Sequence, residues 1–147
     1  MVHQPAGIHY ILELYGCSFA ILDSEAFVLE AVSLAARTAR CHVISMSSHK
    51  FSPQGVTAVA LLQESHLSIH TWPERNYAAA DIFTCGQAAA AHKACEQLTK
   101  RFDASRHTLL VVPRGLGPSI PHEIRQVFAT GNGSDVSHPV AWAEATS

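Results

Sequence analysis

Residues 61–86 read LLQESHLSIHTWPERNYAAADIFTCG, and the fold turns on how they are read. HLSIHTW (66–72) is a strand closed by Pro73, and YAAADIFTC (77–85) is a second strand stopped by Gly86. Few residues separate the two, a hairpin-length connection that pairs them antiparallel. Successive side chains of a strand point to opposite faces, so a half-buried strand alternates apolar with polar residues. Here the polar slots hold Ser, His, Glu, Asp and Cys, where Thr, Lys or Gln would serve as well. Groups that ionise, attack or carry protons are concentrated in one segment, and that choice needs a chemical reason.

Working outward, GVTAVALLQ (55–63) and CHVISMSSHKF (41–51) are apolar or β-branched runs joined by SPQG, a turn with Pro and Gly. IHYILELYGC (8–17) reads as a first strand, with Tyr10, Leu12 and Leu14 on one face and Ile11 and Glu13 on the other. Asp23 or Ser24 caps a helix through EAFVLEAVSLAARTA (25–39), where Phe27, Ala31, Leu34 and Ala35 recur at helical spacing. A second helix, roughly Ala88 to Phe102, carries Ala91, Cys95, Leu98 and Phe102 on one side. HTLLVVP (107–113) closes the pattern as a strand. The order strand, helix, four strands, helix, strand predicts an α+β fold, a two-layer sandwich of a mainly antiparallel sheet with two helices on one face. The tail, residues 115–147, is rich in Gly, Ala and Ser and reads as loop, and His107, His122 and His138 read as surface residues. No repeat or linker divides the chain, so residues 1–147 form one expected domain.

Composition narrows the function classes. The chain has 147 residues, enough for one domain with a real core. Hydrophobic residues make up 48% and charged residues 15%, which excludes a disordered chain. So little charge points to a surface partly covered by a partner subunit. A net charge of −2 offers no footprint for nucleic acid or an anionic membrane. The longest apolar run, VTAVALL, is too short to span a bilayer, and MVHQPAGIHY lacks the regions of a signal peptide. Cys17, Cys41, Cys85 and Cys95 show no C-x-x-C spacing, so reduced thiols in a cytoplasm are the expectation, three of them simply buried.

Taken singly, a Ser or His in a strand is more often a solvated or packed side chain than a catalyst. His66, His70 and Cys85 invite a zinc reading, because residues i and i+4 share a strand face. Structural zinc draws on close ligand pairs at both ends, however, and only one pair exists here, so no metal is expected. The joint pattern is far more specific. ESHLSIHTWPE, YAAADIFTCG and the upstream HKFSPQGVT together resemble the prokaryotic S-adenosylmethionine decarboxylase family, from about His9 to Arg114. The resemblance implies a proenzyme that cleaves itself before a serine. Residues 1–64 would then be one chain and 65–147 the other, headed by a pyruvoyl cofactor made from Ser65. It further implies a small-molecule substrate and a cytoplasmic homodimer that pairs two sheets, with the active site near the interface.

The residue types suit that chemistry. Ser65 Oγ can attack the carbonyl of Glu64, turning amide into ester. By resemblance, Thr57 and His70 help with the developing oxyanion and the proton of this step, Thr57 donating a hydrogen bond. His70 removes the α-hydrogen of residue 65, imidazole being able to exchange protons near neutral pH. Elimination leaves one chain ending at Glu64 and a dehydroalanine that hydrolyses to pyruvoyl and ammonia. By resemblance, the pyruvoyl group at residue 65 would supply an electron-accepting ketone for loss of CO₂ from the substrate, with Cys85 as the implied proton donor to the α-carbon. A parity conflict remains inside this scheme. Ser65 and His70 are an odd number of residues apart, so strict alternation sets them on opposite faces unless the strand bulges or begins after residue 65.

Phe51 and Trp72 would stack on adenine and Glu74 would accept the ribose hydroxyls, again by resemblance; plain core packing is the other reading of the two rings. The resemblance implies a product, decarboxylated S-adenosylmethionine, that would feed spermidine synthesis. The chain departs from the family at ERNYAA, where a small residue, commonly Gly, precedes the Tyr. Arg75 and Asn76 place bulk and a cation beside Glu74. A pyruvoyl-dependent arginine or ornithine decarboxylase of the same family is therefore the alternative, and an unprocessed paralogue without activity is a third reading.

Overall fold

The structure, a computed structural model, describes the backbone of residues 4–85, 88–117, 124–130 and 136–140, with side chains over 4–85 and 90–117. The central strand is β1 (Gly7–Tyr15), whose Tyr10, Leu12 and Leu14 are buried while Ile11 and Glu13 face the other way. β2 (Val43–Lys50), β3 (Val56–Leu62), β4 (Ser65–Trp72) and β5 (Tyr77–Thr84) follow one another as antiparallel neighbours. β1 sits between β5 and β6 (Arg106–Arg114), antiparallel to both.

Two long helices, α2 (Glu25–Thr38) and α3 (Ala88–Arg101), cover one face, and a short α1 (Phe19–Leu22) precedes them. α2 packs on β2, β3 and β4, and α3 on β1 and β5; the helices also touch each other. The expected two-layer α+β sandwich is what forms. Between the layers, Leu12, Leu14, Leu67, Ile69, Ile82, Leu98 and Phe102 are fully buried. Truncating one such side chain to Ala typically costs about 2–5 kcal/mol.

Local chemistry sets the boundaries. Ser24, rather than Asp23, caps α2, its Oγ accepting from the Phe27 amide at 3.3 Å. Asp23 Oδ1 is thereby free to accept from Lys50 Nζ at 2.7 Å and from the Gly55 amide at 2.9 Å. Those two bonds tie the β2–β3 turn to the start of α2. Gly55 is required there: its φ is +101°, and a Cβ would lie 3.0 Å from the Thr71 carbonyl.

Three expectations change. Val28, Ala31, Val32, Ala35 and Ala36 form the buried stripe of α2, while Phe27 and Leu34 are half-buried. Phe27 turns aside because α3 lies beside α2, and it meets Phe102 edge-on at 5.4 Å. The tail is not all loop. β7 (Ile124–Thr130) and β8 (Val136–Val140) extend the sheet beyond β6, giving eight strands in the order β2-β3-β4-β5-β1-β6-β7-β8. IRQVFAT is a β-type run hidden between Gly- and Pro-rich flanks, and Pro139 is tolerated because β8 is an edge strand. His107, expected at the surface, is half-buried in a cavity of ≈ 250 Å³ beside α3. Gly86 and the side chains of His122 and His138 lie outside the described residues.

Candidate active site

Leu62 pairs with Ser65 across the β3–β4 hairpin, so Gln63 and Glu64 alone form its loop and the Glu64–Ser65 bond stands at its edge. From there β4 runs in unbroken register against β5, Ser65 opposite Thr84 through Trp72 opposite Tyr77. No bulge resolves the parity conflict. Leu67, Ile69 and Thr71 are buried beneath the helices, and Ser65 shares their parity. His66, Ser68, His70 and Trp72 take the opposite parity, on the face no helix covers. At about 3.3 Å per residue, Ser65 and His70 are about 17 Å apart along the strand. The proposed nucleophile and the proposed elimination base do not meet within one chain.

At the Ser65 end the scissile group is held from several sides. The Cys85 amide donates to the Glu64 carbonyl at 3.3 Å. Ser65 Oγ lies 3.3 Å from His66 Nδ1. The Glu64 carboxylate is clasped by His42, whose amide donates to Oε2 at 3.0 Å and whose Nδ1 lies 2.9 Å from Oε1. The hydrogen bonds from the His42 ring and then its amide hold that carboxyl below the usual carboxylate range. The Gln63 amide donates to the His42 carbonyl at 2.9 Å, completing the clasp on the loop. His42 is placed by the end of α2, where Arg40 turns left-handed (φ 56°) and the Cys41 amide bonds the Ala36 carbonyl. A cavity of ≈ 330 Å³ opens here, lined by Glu64, Thr84 and Cys85 together with Arg40 and Cys41.

The cysteines divide as their surroundings dictate. Cys17 and Cys95 are buried, and burial pushes their thiols up to about 11 and about 12, so both stay protonated and inert. Cys85 is exposed on the rim of the cavity.

The remaining expected residues gather at the other end of the sheet. Thr57 is the cross-strand partner of His70, and Thr57 Oγ1 lies 2.9 Å from His70 Nδ1, a bond that orients the ring. Trp72 follows on the same face, stacked on Tyr77 at 5.3 Å, and Tyr77 stacks in turn on Tyr15 at 5.3 Å. The Tyr77 hydroxyl donates to the Glu13 carboxylate; burial first, and then that carboxylate, push its pKa well up. Phe51 is exposed just past β2, edge-on to His49 at 4.6 Å, and Glu74 is exposed in the 3-10 turn Pro73–Arg75. Two clusters result: Glu64, Ser65 and Cys85 at one end, and Thr57, His70, Phe51, Trp72 and Glu74 at the other.

The departure at Asn76 has a local cause. Asn76 is left-handed (φ 52°, ψ 36°), a conformation that suits Gly or Asn. Its side chain donates to the Cys17 carbonyl at 2.9 Å, and the Cys17 amide returns a bond to the Asn76 carbonyl at 3.1 Å. Asn76 therefore latches a turn rather than filling a pocket. Arg75 is exposed and, among the described residues, forms no ion pair with Glu74. Nor do three His, Cys, Asp or Glu side chains gather as metal ligands among those residues. Sequence reasoning weighed His66 only as a zinc ligand, and it passed over His42 and the Cys85 amide. His66 was visible beside Ser65, whereas His42 and the amide reach the loop through pairings that only the fold reveals.

Comparison with known proteins gives a family and a fold match. A family model described as S-adenosylmethionine decarboxylase matches residues 8–115. An S-adenosylmethionine decarboxylase proenzyme of Prochlorococcus marinus (strain MIT 9211) is 47% identical over 108 residues, 74% of this chain and 88% of that one. The proenzyme of the same name from Moorella thermoacetica is 46% identical over 113 residues, 77% of this chain and 90% of the relative. The crystal structure of the adenosylmethionine decarboxylase from Aquifex aeolicus matches with a TM-score of 0.74 at 32% identity, covering 80% of this chain and 98% of that one.

Proposed function

The chain belongs to the S-adenosylmethionine decarboxylase family, and on that premise we propose that it is a self-cleaving proenzyme whose active site is completed by a second copy of itself. The observation that carries the self-cleavage is the arrangement at Glu64–Ser65. The carbonyl to be attacked accepts a hydrogen bond from the Cys85 amide, and the hydroxyl that attacks it belongs to the next residue. A main-chain donor fixed on the carbonyl is what a developing oxyanion needs. Ser65 is thereby suited to become the pyruvoyl group, which when formed supplies an electron-accepting ketone for decarboxylation. Cys85, exposed beside that position and lining the same cavity, is the side chain this reading makes the proton donor.

The second copy follows from the separation of the two clusters. Thr57 and His70 lie about 17 Å along the strand from their own Ser65 and on the other face, so they serve the Ser65 of a partner. The uncovered face of the sheet is the natural meeting surface. It exposes Val59 at 38% and Leu61 at 50%, apolar side chains that a lone domain leaves in water. Pairing two such faces gives a homodimer and brings the Phe51, Trp72 and Glu74 end of one copy toward the Ser65 end of the other.

The substrate is S-adenosylmethionine, decarboxylated to the aminopropyl donor of spermidine synthesis. Two exposed aromatic rings near a carboxylate suit a nucleoside, and the turn-latching role of Asn76 removes half of the case for arginine or ornithine. The test is direct. Intact-mass spectrometry should find two polypeptides, the larger starting with a carbonyl in place of an amine, and the mature protein should release labelled CO₂ from carboxyl-labelled S-adenosylmethionine. A single uncut chain would refute the cleavage. Turnover of arginine or ornithine alone would refute the substrate.

A further inference from the structure

His66 follows the nucleophile in sequence, yet nothing so far gives it a task. β4 turns its ring to the open face, with Nδ1 3.3 Å from Ser65 Oγ. The ring lies nearly parallel over its cross-strand partner Phe83, centroids 6.1 Å apart and planes 24° from each other. Phe83 is itself fixed, by His9 edge-on at 5.8 Å and by the Arg114 guanidinium 5.8 Å above its ring. His9 is tied to Asp81 at 3.0 Å. The plane of the His66 imidazole is therefore set by its stack on Phe83, which His9 and Arg114 hold in turn. Among the described residues no other ionisable side chain bonds Ser65 Oγ, and His70 is about 17 Å away in the same chain.

The first step of cleavage needs a proton carrier at this spot. As Ser65 Oγ bonds to the Glu64 carbonyl carbon, the hydroxyl proton must leave; as the carbon–nitrogen bond breaks, the Ser65 nitrogen must gain one. Donor and acceptor are both atoms of the residue next to His66. We propose that His66 is the base of this acyl shift. Nδ1 takes the hydroxyl proton while the Cys85 amide steadies the oxygen of Glu64, and the same proton passes to the Ser65 nitrogen when the amide bond opens. An ester and a free α-amine result, with no oxidant, reductant or further reactant consumed. His70 is left to the later removal of the α-hydrogen, so the two steps use two different imidazoles.

The inference rests on the self-cleavage reading, and the experiment separates the two. Precursor carrying His70→Ala should stall as the ester, which hydroxylamine cuts at Glu64 while leaving amides intact. Adding His66→Gln, which keeps a hydrogen-bonding side chain but carries no proton, should slow the appearance of that hydroxylamine-sensitive bond about a hundredfold. In the same background His66→Gly should be equally slow and be accelerated by added imidazole. Ester formation at an unchanged rate in His66→Gln, or a His66→Gly precursor that imidazole does not accelerate, would overturn the assignment. Wild-type protein that remains one chain would instead overturn self-cleavage itself.

Discussion

Ser65 makes its task legible at the scale of single residues because nucleophile, scissile carbonyl and adjacent imidazole are consecutive in sequence. Ser65→Ala should leave one uncut chain of full mass, and a cut at that bond in the variant would end the scheme. Cys85 separates main-chain from side-chain roles. Its amide bonds the Glu64 carbonyl, while its thiol is exposed. Cys85→Ala keeps the amide, so it should still cleave into two chains, yet turn over about a hundredfold more slowly for want of its acid. Loss of cleavage in Cys85→Ala, seen on a denaturing gel, would mean the thiol itself acts in maturation. His42 was not legible at this scale. It stands 22 residues from Glu64, and nothing in CHVISM marks it as a clasp until α2 ends where it does.

Two turns carry predictions at the scale of elements. Asn76 holds a left-handed cap and a bond to the Cys17 carbonyl. In a Ser65→Ala background, which keeps one chain, Asn76→Ala should lose about 2 kcal/mol of stability by denaturant titration, from backbone strain and the missing bond. Asn76→Gly should lose only about half as much, since Gly accepts the conformation; equal losses would show that the backbone is unstrained. Asp23 binds the β2–β3 turn through Lys50 and Gly55, and those bonds, Lys50 first, lower its pKa from the ordinary 3.8. A lowered carboxyl contributes stability that is whole above about 3.8 and is lost as pH falls through the lowered value. Asp23→Asn should therefore be less stable than the parent at neutral pH, and the gap should close in acid. A gap that persists below the transition would assign the effect to packing. The elements themselves were largely readable, because strand alternation and the stripe on α3 are local signals. β7 and β8 were not, since β7 pairs with β6 and β8 only with β7, and their flanks carry turn residues.

The decisive feature of the whole molecule is that Ser65 and His70, joined in one reaction by the proposed scheme, stand toward opposite ends of β4 with opposite parity. The parity of Ser65 and His70 signalled this in the sequence as a conflict, and the unbroken register of β4 turns the conflict into a separation. What sequence alone left open was its resolution, because a bulge and a second copy answer the same parity problem. A protein built this way should sediment as a dimer, and polar substitutions at Val59 and Leu61 should weaken the dimer together with maturation. The most direct test is complementation between two inactive chains. Ser65→Ala lacks the nucleophile but keeps His70; His70→Ala lacks the elimination base but keeps Ser65. Co-expressed with distinguishable tags, they should yield mixed dimers in which only the His70→Ala chain is cut and gains its carbonyl-headed fragment by intact mass. If the mixed dimers form and the His70→Ala chain stays stalled, His70 does not act across the interface, and the account of a site shared between copies is wrong.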